Sequence, residues 1–297
     1  MPELPEVETV RRGLQPAVEG AMIQSAVLNR PNLRFPFPDN LVQAIVGAEV
    51  TSLERRAKYL IWHLSNGQSL IAHLGMSGSF RIVSGDDQLS PGAFHHERSE
   101  AKAHDHFVLT MQRTGRPDTK IIYNDPRRFG FLLMTPTAEL TVHKLIRDIG
   151  LEPLSNSFDG DALFERYQNK STTLKAALLD QNLIAGIGNI YACEALWAAK
   201  LSPLRKGNSL AKTNGKKSNA ADKLADAIRD VLTRAIEAGG STLRDHRQAD
   251  GELGYFQHSF NAYGRAGEPC RHSGCTNAIE RIVQNGRSTF FCASCQK

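Results

Sequence analysis

Four of the five cysteines fall in the last 28 residues, as Cys270-x4-Cys275, sixteen intervening residues, then Cys292-x2-Cys295. In a reducing compartment such thiols hold a metal rather than pair as disulfides. Two thiolate pairs at this spacing match a tetrahedral structural zinc site with no open position. Between the pairs, Ile279–Gln284 and Arg287–Phe291 flank Asn285-Gly286. Two apolar strands around Asn-Gly predict a type I′ hairpin, clamped at its open end by the metal. Arg287 then sits at the tip of a stapled ribbon, where a guanidinium suits a phosphate or a base edge. An isolated turn arginine is more often simply solvated, so this position needs further support.

At 297 residues the chain has material for about two domains. Apolar residues at 41% and charged residues at 23% exclude a disordered chain. No apolar run approaches the roughly 18 residues of a membrane span. The opening Met-Pro-Glu-Leu-Pro-Glu lacks the basic and apolar regions of a signal peptide, so a cytoplasmic protein is expected. The net charge of +5 is lopsided: residues 1–149 carry 17 basic and 16 acidic side chains, residues 150–297 carry 19 and 15. A basic half points to a polyanionic partner, although four zinc-bound thiolates offset about two of those charges.

Residues 5–19 predict a helix, with Pro5 at its start, Glu6 and Glu8 near its positive end, and Val7, Val10, Leu14 and Val18 on one face. From about 20 to 135 the pattern changes to short runs typical of strands. These are Met22–Leu28, Val50–Arg55, Tyr59–Leu64, Ser69–Leu74, Ser79–Val83, Phe107–Met111, Lys120–Tyr123 and Phe131–Met134, with a hairpin at Asn66-Gly67. So many strands without intervening helices imply a β-sandwich or barrel. Ser84–Asp105 reads as a surface loop. Residues 136–156 read as a connection into a helical second half. There Leu174, Ala177 and Leu178 share a face, and Gly186-Ile187-Gly188-Asn189 separates two helices. A long helix, Ala220–Ala238, turns Leu224, Ile228, Val231, Leu232, Ala235 and Ile236 inward. Residues 205–219 read as a solvated loop. The polar stretch 241–269 interleaves Tyr255, Phe256, Phe260 and Tyr263.

Other residues carry possible chemistry. Removal of Met1 would leave Pro2 with a secondary amine far less protonated than a lysine near neutrality. Such an amine can attack an electrophilic sugar carbon, with Glu3 and Glu6 close enough to move a proton. Taken alone, a proline at position 2 is ordinary, and acids at a helix start satisfy its dipole. Lys58 stands at a strand entrance, where a lysine is commonly a solvated charge. Asp125-Pro-Arg127-Arg-Phe129-Gly couples guanidinium groups to a ring on a turn, a mixture suited to duplex DNA. Asn189 is placed to cap the following helix, and the adjacent glycines permit phosphate approach. His104 and His106 have no evident third metal ligand and read as surface hydrogen-bonding groups. Cys193 reads as a small buried apolar residue.

Together these segments resemble the formamidopyrimidine-DNA glycosylase family. The resemblance rests on Met1-Pro-Glu-Leu-Pro-Glu-Val-Glu-Thr-Val-Arg-Arg-Gly13, Arg55-Arg-Ala-Lys-Tyr-Leu60, His73-Leu-Gly-Met-Ser-Gly78, Asp125-Pro-Arg-Arg-Phe-Gly130, Gly186-Ile-Gly-Asn-Ile-Tyr-Ala192, Tyr263-Gly-Arg-Ala-Gly-Glu-Pro-Cys270 and the terminal hairpin. It implies an α+β protein with an N-terminal helix and β-sandwich over 1–135 and a linker over 136–156. A helix–two-turn–helix domain over 157–262 and a four-cysteine zinc finger over 263–297 would follow. The implied activity is removal of oxidised purines from double-stranded DNA, followed by β,δ-elimination at the abasic site.

By the family's pattern Pro2 attacks C1′, Glu3 donates a proton, Lys58 assists β-elimination, and Arg287 assists δ-elimination and grips phosphates. His104, Arg127 and Lys170 fall on DNA-contacting positions, and Asn189 on a phosphate site. Met76, Arg127 and Phe129 match the side chains that fill the gap left by a flipped nucleotide, since the lesion cannot be reached inside the stack. Cys270, Cys275, Cys292 and Cys295 would hold one structural zinc, with no small-molecule cofactor and a monomeric enzyme expected. The chain departs from the pattern in its Cys-x4-Cys pair, where Cys-x2-Cys is usual, and in longer loops at 84–105 and 205–219. Two alternatives stand beside this reading: an endonuclease VIII-like enzyme for oxidised pyrimidines, and a non-catalytic zinc-finger DNA-binding protein.

Overall fold

The computed structural model describes residues 1–85, 87–90, 101–212, 214–240 and 259–297. Part of the expected loop at 84–105, Tyr255 and Phe256 lie outside the described residues, as does most of the polar stretch 241–269. The chain forms two compact units, one built on Met1–Asp148 and the other on Ile149–Ala238 with the C-terminal residues through Lys297.

The first unit opens with helix α1 (Leu4–Val18). Strand β1 (Met22–Leu28) and a short helix α2 (Leu41–Ile45) follow. The remaining strands are β2 (Val50–Arg56), β3 (Tyr59–Leu64), β4 (Gln68–His73), β5 (Ser79–Ser84), β6 (Asp87–Leu89), β7 (Asp105–Gln112), β8 (Thr119–Asn124) and β9 (Phe131–Pro136). They make a five-stranded sheet in the order β1-β7-β8-β5-β6 and a four-stranded sheet in the order β2-β3-β4-β9. All pairings are antiparallel.

One apolar core holds the inward faces of both sheets, from Leu53, Leu60, Trp62 and Leu70 to Phe80, Phe107, Leu109 and Ile121. Val7, Val10, Leu14 and Val18 of α1 join the same core. The expected stripe is therefore what anchors the helix. Strands β3 and β4 are apolar on both faces because both are covered. Ile61 and Ile71 point away from the main core and pack with Phe131, Leu140, Leu145 and Ile146. The Asn66-Gly67 hairpin joins β3 to β4, with Gly67 alone at positive φ (+79°). Helix α2 and the three-residue β6 are too short to show a period in the sequence.

The second unit contains α3 (Gly160–Tyr167), α4 (Leu174–Leu179), α5 (Asn189–Ala198), α6 (Asn219–Glu237) and a hairpin of β10 (Glu280–Gln284) with β11 (Arg287–Phe291). Every residue assigned to the inner face of α6 is buried. Much of the stretch 205–219 is exposed, as expected of a solvated loop, but it is pinned to the fold at one point. A 3-10 turn, Gly207–Leu210, buries Leu210 completely, and Gly207 lies so close to Lys170 that an added Cβ would come within 2.9 Å of the lysine Cβ. One buried leucine outweighs the polar composition around it.

Leu14 is fully buried where α1 meets the sandwich core. Leu14→Ala is expected to lower the unfolding free energy by about 2–5 kcal/mol in urea titrations followed by far-UV circular dichroism.

Candidate active site and metal centre

In the first unit the site is assembled at the N-terminus of α1. Glu3 is the N-cap and Glu6 occupies N3, forming a capping box in which Glu6 Oε2 accepts the Glu3 N–H at 2.8 Å. Both carboxylates are buried, and so is Pro2. The terminal amine, carried here by Met1, has its pKa lowered. Burial is the largest cause; Glu3 and Glu6 oppose it, while the charges of Lys58 and Arg127 reinforce it. The amine, two carboxylates, a lysine and an arginine thus act on one another electrostatically. While Met1 is present, the Pro2 nitrogen is an amide without nucleophilic character. Lys58 is not a solvated charge: it is 7% exposed, in the two-residue turn between β2 and β3.

Beside this lies a pair of loops, 74–78 and 125–130, joined by a buried carboxylate. Asp125 accepts from the Ser77 hydroxyl, the Gly130 N–H (2.8 Å) and the Tyr123 hydroxyl (3.4 Å). Its N–H donates to the His104 carbonyl at 3.0 Å, and Ser77 Oγ in turn accepts the Arg127 N–H at 3.1 Å. Glycine is required where the loops touch. A Cβ on Gly75 would stand 2.3 Å from the Gly130 nitrogen, and one on Gly130 would stand 1.8 Å from the Tyr123 hydroxyl.

This packing presents Met76 and Phe129 to solvent, 41% and 45% exposed, with the Arg127 guanidinium 4.9 Å above the Phe129 ring. Two large apolar side chains in water beside a cation suit insertion into a base stack. His104 ends a 3-10 turn and is half-buried at the edge of this group. His106 is fully buried, its Nε2 donating to the Asp125 carbonyl at 2.7 Å, so it is not the surface group expected.

His73 supports the loops from below. Its ring stacks on Phe131 at 5.3 Å, and its Nδ1 accepts the Gly75 N–H at 3.0 Å. Burial, reinforced by Lys58 and Arg34, lowers its pKa from 6.5 to about 4.

In the second unit, the Sγ atoms of Cys270, Cys275, Cys292 and Cys295 all lie within 4.8 Å of one another, Cys275 and Cys292 at 3.7 Å. A tetrahedron of Zn–S bonds near 2.3 Å has edges of about 3.8 Å, so the four thiolates fit one structural zinc. The longer Cys-x4-Cys connection accommodates this, and its His272 stacks on Trp197 at 3.9 Å. The hairpin turn has Asn285 and Gly286 at φ +50° and +72°, as type I′ requires, and Arg287 is exposed at its tip.

Helices brace the ribbon. Lys175, 1% exposed, donates to the Ser288 carbonyl (3.0 Å) and Thr289 Oγ1 (2.6 Å), and Asn189 Nδ2 donates to the same carbonyl at 2.9 Å. Asn189 is therefore not the expected cap. Gly188 is the N-cap of α5, and the amide side chain of Asn189 reaches the hairpin instead. The Gly186 N–H is already engaged by Gln181 Oε1 at 2.9 Å. Lys170 follows α3, half-buried against Gly207.

Sequence reasoning passed over Lys175, Glu194 and His73. Glu194, buried in α5, accepts the N–H groups of Asn261, Ala262 and Tyr263 at 2.8–2.9 Å and so holds the entry to the zinc-binding segment. The available signal was a charged residue inside an apolar helical stretch, in Leu174–Leu179 and in Asn189–Ala198. Cys193 is buried, as expected.

Family models give this arrangement its relatives. The formamidopyrimidine-DNA glycosylase N-terminal domain matches residues 1–132, the formamidopyrimidine-DNA glycosylase H2TH domain residues 149–247, and the zinc finger found in FPG and IleRS residues 267–297. The formamidopyrimidine-DNA glycosylases of Brucella ovis and Mesorhizobium japonicum are 56% and 53% identical over 296 residues, covering 100% of each chain. Among solved structures, Lactococcus lactis Fpg in complex with an abasic-site DNA aligns with TM-score 0.81 at 34% identity, covering 99% of each chain. The Fpg protein of Thermus thermophilus aligns at 0.78 and 39% identity, covering 99% of this chain and 98% of its own. The chain belongs to the formamidopyrimidine-DNA glycosylase family.

His73 stays neutral in the folded state while the unfolded chain protonates near pH 6.5. Stability is therefore lost as pH falls from about 6.5 to 4, by an amount on the order of 3 kcal/mol. Urea unfolding across that window is expected to show this loss in the wild type and a flatter dependence in His73→Gln.

Proposed function

We propose that the chain is a bifunctional DNA glycosylase and abasic-site lyase that removes oxidised purines from double-stranded DNA, with Pro2 as nucleophile once Met1 is removed. One observation carries the residue assignment: Pro2 is buried at the start of α1 between the chain terminus and the buried carboxylates of Glu3 and Glu6, where the charges of Lys58 and Arg127 also act. A secondary amine freed at that buried position is disfavoured in its charged form by burial and so holds more of its neutral, nucleophilic form. Family membership supplies the substrate class.

In this reading the Pro2 nitrogen bonds to C1′ as the bond to the damaged base breaks, its proton passing to the departing base; the C1′–O4′ bond then opens, Glu3 donating a proton to O4′, and leaves an iminium. The resulting iminium is an electron sink. It makes the C2′ proton acidic, so that the 3′ phosphate leaves by β-elimination with Lys58 assisting. A second elimination expels the 5′ phosphate, assisted by Arg287. Met76, Arg127 and Phe129 fill the space of the extruded nucleotide. His104, Lys170 and Asn189 contact the strands. The zinc site holds the ribbon that presents Arg287, and the cysteines leave no coordination position for substrate. No described helix is long and apolar enough to cross a membrane, and we place the enzyme in the cytoplasm as a monomer.

Borohydride treatment on 8-oxoguanine DNA is expected to trap a covalent adduct that disappears when an extra residue blocks Pro2. Binding without an adduct would favour a pure DNA-binding protein, and faster excision of thymine glycol would favour the pyrimidine-specific alternative. Full activity of a polypeptide shown by mass spectrometry to retain Met1 would overturn the assignment of Pro2.

Arg287→Ala is expected to weaken DNA binding, to reduce the slope of log K against log salt by about one, and to leave zinc content unchanged. Titrations at several salt concentrations with parallel metal analysis check this.

A further inference from the structure

Strand β2 is an outer strand of its sheet, so part of its backbone faces away from β3. At Leu53 those groups find side chains of α1 and of its C-cap residue, Glu19. The Leu53 N–H donates to Glu19 Oε1 at 2.7 Å, and its carbonyl accepts from Arg11 Nη1 at 3.3 Å. Two residues beyond the capping box stands Glu8, a buried carboxylate that pairs with Arg11 and Arg12 at 2.9 Å and with Arg55 Nε at 3.2 Å. Burial pushes the Glu8 carboxyl up, but the arginine partners outweigh it and hold the group below its ordinary range, so it is charged at neutral pH.

Arg55 is itself bridging. Its Nε engages Glu8 while its Nη1 donates at 3.0 Å to the Ala57 carbonyl, which belongs to the peptide linking Ala57 to Lys58. Ala57 has φ +53°, a left-handed conformation that is unfavourable for a residue with a Cβ. Such a conformation persists where surrounding contacts dictate it. The contacts on this turn run back to the helix that begins at the candidate active site.

We propose that Glu8 and Arg55 are positioning residues. Their carboxylate–guanidinium link ties the Lys58 turn to helix α1, so that Lys58 keeps a fixed place relative to Pro2 and Glu3 during elimination. The inference rests on the roles given to Pro2 and Lys58 above. Arg12 shares Glu8 but has no bond to the turn, which separates positioning from the mere loss of an ion pair.

The test is single-turnover kinetics on 8-oxoguanine DNA, with base release and strand nicking followed separately and thermal unfolding recorded for each variant. Arg55→Ala is expected to slow nicking at least about tenfold relative to base release, and Arg55→Lys to recover part of that loss, since a lysine keeps only one of the two contacts. Glu8→Gln should act in the same direction and serves if Arg55→Ala does not fold. Arg12→Ala should behave as the wild type. The Arg55→Ala/Lys58→Ala double variant should nick no more slowly than Lys58→Ala alone, because both changes remove the same contribution. Equal slowing of both steps, or additive losses in the double variant, would overturn the link while leaving Lys58 in place. Normal nicking by Lys58→Ala would instead remove the reading on which the link depends.

Discussion

The burial of one face of α1 in the sandwich core is the contact from which the candidate site follows. Val7, Val10, Leu14 and Val18 lie among side chains from both sheets, so the helix cannot rotate or slide without opening the main core of that unit. An N-terminus is ordinarily the least ordered part of a chain. Here it is the start of a helix held along its length, and Pro2, Glu3 and Glu6 inherit that rigidity. Burial of Pro2 is a consequence of the same packing, because a segment anchored against a core has less water around it than a free one.

Polar groups inside the protein carry the rest of the positioning. Asp125 joins two loops that also meet through glycines and through the Arg127 N–H on Ser77 Oγ. Lys175 and Asn189 converge on one carbonyl of the zinc-stapled hairpin, and Glu194 takes three consecutive N–H groups. Asp125, Lys175 and Glu194 are buried with hydrogen-bond partners in place, the arrangement in which a hydrogen bond defines a geometry instead of costing desolvation energy. Around them the surface is left with features that a core would normally absorb: exposed Met76 and Phe129 beside Arg127, and Arg287 on a hairpin tip.

Within the second unit, metal and helices divide the work on the hairpin. The four thiolates close its open end, while Lys175 and Asn189 brace the Ser288 carbonyl next to Arg287. A two-stranded ribbon alone is marginal in water. Stapled at one end and braced near the other, it holds an exposed arginine without burying it.

Local signals were strong enough to read much of this from the chain itself. The α1 stripe, the inward face of α6, the eight principal strands of the sandwich, the Asn285-Gly286 turn and the four-cysteine cluster all follow from periodicity, turn chemistry or ligand spacing, which act over a few residues. The motifs carried the family, and with it the residues around Pro2. What local pattern misjudged was decided by distant packing. The solvated loop at 205–219 is pinned by one buried leucine, His106 is buried, Asn189 braces a hairpin instead of capping its own helix, and Lys58 is enclosed. The carboxylate of Asp125 and the ammonium of Lys175 reach partners on other segments, and a partner 114 residues away leaves no mark on neighbouring positions. Periodicity and spacing determine which elements form and which side chains are available; only the folded chain determines which polar groups lose water together, because desolvation depends on everything that surrounds a group and not on its neighbours in sequence.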